Sequence, residues 1–206
     1  MRGGLMVPRD ERTQQALTYV RHQATKSLAD LRVLVERTAA DCGRCLGGIS
    51  EKQARFQPGN EWSINEVLDH LIDATARQVT ERIRDLAVRR PPRPFTAGDS
   101  SGRAMQTIEE RRQELARLLD DAVVLVSALP AGDLPAGTWE HPFLGPLNLK
   151  ELIAYHRLHV MDHVQQIEKI KAEPDYPRVR ATQFPDEPDH PDPHGGRLHP
   201  PAPRPG

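Results

Sequence analysis

A chain of 206 residues is long enough for one domain with a sizeable core and short for two. Its 28 basic side chains nearly balance 29 acidic ones, so the formal net charge of −1 provides no global field favouring nucleic acid or an anionic membrane. No apolar run approaches the ~20 residues of a membrane span, and Met1-Arg-Gly-Gly-Leu-Met-Val-Pro-Arg-Asp lacks the apolar segment of a signal peptide, so a cytoplasmic protein is expected.

Along the chain, apolar residues recur at helical spacing in four stretches. Leu17, Val20, Leu28, Leu31, Leu34 and Val35 predict a first long helix, near 10–40. Cys42 and Cys45 follow, in a Cys-Gly-Arg-Cys spacing that serves redox pairs and half zinc sites. No βαβ pattern surrounds them and no second cysteine pair completes four ligands. With Gly43, Gly47 and Gly48 beside them, they read as a helix terminus.

A second helix, near 63–88, carries Val67, Leu68, Leu71, Ile72, Val79, Ile83 and Leu86. Ser63 is a ready N-cap, with Glu66 placed to complete a capping box. Residues 89–104 hold three prolines and two glycines and read as an extended connection. Stretched, its 16 residues reach ~50 Å against ~39 Å for the helix before it, so the chain can run back along that helix. The third helix, near 105–129, stops at Pro130, and a second long loop holds Trp139, His141, Phe143 and Gly145. Asn148, with Glu151 three residues on, can cap a last helix near 148–172. From Pro174 the composition cannot bury a core, so 174–206 is expected to be a disordered tail outside a domain at 1–173. Four helices without convincing strands predict an all-α fold, a four-helix bundle with cofactor residues on facing helices.

The last helix carries His156, His159 and His163 within an arc of roughly 60°, on or beside its apolar face. One buried imidazole needs only a hydrogen-bond partner. Three on one stripe point to a metal ion, because His at i and i+4 presents two ring nitrogens to one point. The third ligand must come from elsewhere. His70 lies ~10 Å from the start of its helix and His163 ~13 Å from the end of its own, so antiparallel packing sets them level. Parallel packing separates them by more than ~10 Å, too far for one ion. His70, His159 and His163 are therefore the expected metal ligands, with His156 a further turn away, lining the pocket or making a hydrogen bond. Three neutral imidazoles leave a position open for water or substrate, the catalytic pattern. Glu66, His156 and Gln166 lie where supporting residues belong, although Glu66 is equally placed to serve only as a cap.

The segment Trp62-Ser-Ile-Asn-Glu-Val-Leu-Asp-His70-Leu resembles the second-helix motif of the DinB/YfiT-like family of metal-dependent enzymes. His141-Pro-Phe-Leu-Gly145-Pro-Leu, followed by His156 and by His159-Val-Met-Asp-His163-Val-Gln-Gln-Ile, resembles its loop and last helix. The resemblance spans roughly residues 10–172 and implies an up-down-down-up bundle with zinc or nickel on the matching triad. It implies a small-molecule substrate, with thiol transfer to or from a low-molecular-weight thiol co-substrate, or hydrolysis, as the reaction. It also implies a homodimer. The rival reading is a non-catalytic metal-binding stress-response protein. Nucleic-acid binding finds no basic stripe to support it.

Overall fold

The computed structural model describes residues 9–93 and 103–178. Most of them are helical. The expected first helix is two: α1 (Arg9–Ala24) and α2 (Leu28–Leu46), broken where Ser27 turns out of the helix and caps the second with its hydroxyl. Periodicity alone misses this break, because the apolar spacing carries on across it. α2 ends at Leu46 with Gly47 as its cap, so Cys42 and Cys45 do lie near its terminus. They are buried there as free thiols. A single-turn helix, α3 (Glu51–Ala54), leads to the capping box of Ser63 and Glu66.

That box starts a continuous rod of α4 (Ile64–His70), a π-helical segment (Leu71–Val79) and α5 (Thr80–Ala87). α6 (Ile108–Ser127) begins at a further capping box, Thr107 with Glu110. The loop expected before the last helix instead contains strands. β1 (Thr138–His141) pairs antiparallel with β2 (Gly145–Asn148), with Trp139 opposite Leu147 and His141 opposite Gly145. Gly145 adopts φ +74°, the left-handed geometry that closes this short hairpin and that glycine enters without steric penalty. α7 (Leu149–Lys171) starts at the expected Asn148–Glu151 box.

α2 packs on both α6 and α7, and α7 also meets α1 and the π segment. The apolar side chains form two clusters. One gathers Leu46, Ile64, Leu68, Leu115, Val160 and Ile167. The other gathers Val20, Leu31, Ile83, Trp139, Leu147 and Leu152. Along α7 the buried members of the second cluster end at Ala154 and those of the first begin at Val160, and along the rod the change falls between Ala76 and Val79. Tyr176 is buried against the first cluster, and Gln53 donates to the Pro177 carbonyl at 2.8 Å, so bundle packing runs past residue 173. The remainder of the expected tail, 179–206, lies outside the described residues.

Candidate metal centre

His70 ends α4, and His159 and His163 lie on successive turns of α7. Their Nε2 atoms meet: His70 to His159 at 3.2 Å and His163 to His159 at 3.0 Å. One nitrogen from each of the three falls within 4.8 Å of the others. Ligands about 2.0–2.1 Å from a tetrahedral ion sit about 3.3–3.4 Å apart, so the spacing fits a three-histidine site. Hydrogen bonding alone does not account for it. His159 Nε2 faces two other ring nitrogens, and one nitrogen has a single proton or a single lone pair with which to answer them.

The opposite side of each ring decides which nitrogen is free. His159 Nδ1 is 2.7 Å from Thr75 Oγ1, and His163 Nδ1 is 2.8 Å from Gln166 Oε1. An amide oxygen only accepts, so His163 carries its proton on Nδ1 and turns the Nε2 lone pair inward. The Thr75 hydroxyl lets His159 do the same. This is the outer arrangement that orients imidazole ligands. Burial keeps the rings neutral: it is the main cause lowering His70 to about 4 and His159 well below the ordinary histidine value, and it lowers His163 as well. The neighbouring histidines add to the shift of His70 and His159. The half-exposed Trp62 indole lies near-parallel to His163 at 6.3 Å and tilted to His70 at 5.2 Å.

Thr75 carries no sequence signal, and the π segment is the reason. Five residues in an α-helix turn a side chain about 140° from its starting face. The i→i+5 repeat of a π-helix returns it to nearly the same face. His70 and Thr75 therefore both reach His159. Tyr155 was missed as well, although its spacing of four residues before His159 was a signal; its ring lies against that imidazole at 5.5 Å.

Two expected supporting residues fall elsewhere. Glu66 is exposed, and its Oε2 accepts from the Ser63 amide at 2.7 Å and the Ser63 hydroxyl at 2.8 Å, so it acts as the cap. His156 is buried to 1% exposure, with both ring nitrogens lacking a hydrogen-bond partner among the described residues. It neither makes the expected hydrogen bond nor lines the cleft at His159. Its position a turn earlier sets it among Leu152, Ile153 and Val160, which are themselves fully buried, and burial pushes its pKa down to about 4.

A cleft of about 330 Å³ reaches His159 between α1, the hairpin loop and α7. His141 lines it, held by two backbone amides, Phe143 N and Leu144 N, that donate to Nδ1 at 3.1 Å each. A larger groove of about 500 Å³ between α2 and α6 contains Cys42 and none of the histidines, so it is not the entrance to this centre. Burial raises both cysteine thiols to about 12, which leaves them protonated and unreactive at neutral pH.

A largely helical protein with a partly buried three-histidine cluster that could hold a metal ion, and an adjoining cleft, is the class the fold and site define. Within that class the chain belongs to the DinB superfamily, whose family model matches residues 34–167. A comparison with curated proteins returns no match. Among the described residues, no helix is long and apolar enough to cross a membrane.

Proposed function

We propose that this protein is a metal-dependent enzyme with a divalent ion, zinc or nickel, held by His70, His159 and His163. Convergence of three Nε2 atoms beside a cleft that reaches His159 carries the reading. When bound, such an ion supplies the positive charge that lowers the pKa of a thiol or water ligand, for S-transfer from a low-molecular-weight thiol or for hydrolysis. The protein's own part is to hold three neutral rings with their lone pairs inward. Thr75 and Gln166 fix the tautomers of His159 and His163. Trp62 shields the rings of His70 and His163. Superfamily membership and the resemblance of both motifs support thiol transfer as the first reaction to test, in an up-down-down-up homodimeric bundle.

Metal analysis of the purified chain, followed by a thiol-conjugation and ester-hydrolysis screen with and without the metal, tests this. One ion per chain and metal-dependent turnover are expected. His159→Ala leaves two ligands and lowers metal affinity by more than about 100-fold, beyond the range for losing a supporting residue. An unchanged metal content in that variant rejects the site. Tight metal binding with no turnover in either screen selects the non-catalytic metal-binding reading.

A further inference from the structure

The cleft beside His159 has a chemistry of its own. Ala16 of α1, Phe143 and Leu144 of the hairpin loop and Leu158 of α7 give it apolar walls. Its polar groups are unevenly placed. Arg12, on the first turns of α1, lines the cleft and is exposed, with no ion pair or hydrogen bond among the described residues. Asp162 lines it from α7, next to His163 in the chain and within electrostatic reach of that ring. Asp162 interacts electrostatically with His163, and among the described residues Arg12 makes no ion pair with it or with any other carboxylate.

His141 adds a fixed donor. Both loop amides donate to its Nδ1, so the ring's proton sits on Nε2. That Nε2–H has no partner among the described residues, yet it is not sealed in the core. A guanidinium and an imidazole N–H, both unanswered in one apolar-walled cleft, are complementary to a carboxylate on an apolar body.

We propose that this cleft is the substrate's recognition subsite, taking a small carboxylic acid with an aromatic or branched apolar body. Its carboxylate meets Arg12, with His141 as the second donor, and its apolar part lies along Phe143 and Leu158. The proposal deepens the metal-enzyme reading and rests on it for the word substrate; the binding itself does not need the ion. Arg12 then determines specificity by selecting acids over neutral analogues of the same shape.

The test is binding of benzoate, compared with benzyl alcohol, to the full chain, metal-free and zinc-loaded, followed by NMR titration. Benzoate is expected to bind at least about tenfold tighter than the alcohol in both forms, a margin appropriate to one charge-assisted contact. Arg12→Gln should abolish that margin and Arg12→Lys keep part of it, with zinc stoichiometry the same in all three proteins. A margin that survives Arg12→Gln overturns the proposal, as does its absence in the unmodified chain. A margin seen only with zinc shows benzoate ligating the ion and also overturns it. An Arg12-dependent margin in a protein that fails to take up metal leaves the subsite standing and removes the metal reading.

Discussion

Asp69 and His70 are neighbours in the chain, yet they face surroundings of opposite kinds. Asp69 receives a fork from Arg111, at 2.9 and 3.2 Å, and one turn on Asp73 is gripped by both terminal nitrogens of Arg103. Arg111 also donates to the carbonyls of Arg103 and Gln106. Arg77 bridges Asp73 and Glu114 at 3.2 and 2.7 Å. Among the described residues, Asp69, Asp73, Glu114 and the arginines Arg77, Arg103 and Arg111 all answer one another on this side of the rod. On the other side, His70 turns a ring nitrogen toward two others that cannot all satisfy one another. A filled polar layer fastens the chain after the long connection onto the rod. An unfilled one of matching depth asks for a ligand. The two layers share a backbone, so the fastened side also fixes where His70 sits.

The comparison breaks most visibly on the filled side. Arg103→Met leaves Asp73 buried with one of its partners gone, and about 3 kcal/mol of stability should be lost, the low end for breaking a buried pair because Arg77 still reaches the carboxylate. Urea unfolding of the metal-free protein measures it. Zinc affinity of the folded variant should stay within about threefold, since Arg103 touches none of the ring nitrogens. A collapse of metal affinity with stability intact would mean that the two layers are one.

On the unfilled side the sharper probe is Thr75→Val, which keeps the shape and removes the acceptor of the His159 Nδ1 proton. Zinc affinity should fall about 10–100-fold, as for other residues that orient imidazole ligands, and Thr75→Ser should restore most of it. Calorimetric titration reads both. An unchanged affinity in the valine variant would show that Tyr155, 3.5 Å from the same nitrogen, takes over the role.

The grouping of His70, His159 and His163 was legible before any coordinates, because depth along two helices needs only the capping residues, the rise per residue and an assumed antiparallel packing. Ser63 and Asn148 set both starting points, and both are caps in the structure. What the sequence hides is whatever depends on departures from ideal geometry. The π segment moves Thr75 onto the face of His70, and no residue in Leu71–Val79 announces it. The hairpin is hidden because four-residue strands carry too little alternation to register, and Pro146 inside β2 argues against a strand at all. The Arg103 and Arg111 network is hidden for another reason: it joins residues 30 and 42 positions apart, and an arginine reads as a surface residue until its partner is seen.

His156 belongs to neither layer, and it supplies the smallest and most diagnostic prediction. It is enclosed and neutral, with no hydrogen-bond partner among the described residues and a pKa near 4 set by burial, against about 6.5 in the unfolded chain. Between those values the unfolded state binds a proton that the folded state refuses, so stability falls as pH drops from about 6.5 toward 4. The contribution is fully present above pH 6.5. His156→Leu removes one such proton, so the slope of stability against pH in that window should lessen by at most about 1.4 kcal/mol per pH unit. At pH 7 the same change replaces two unanswered ring nitrogens with carbon in an apolar setting. A gain of about 1–2 kcal/mol in the metal-free protein should follow, with the zinc affinity of the triad retained. Urea unfolding at pH 5 and pH 7 checks both numbers in one series. A loss of stability at pH 7 with the pH slope unaltered would mean that His156 is hydrogen-bonded in solution, and the polar layer would then extend one turn further along α7 than the two-layer comparison allows.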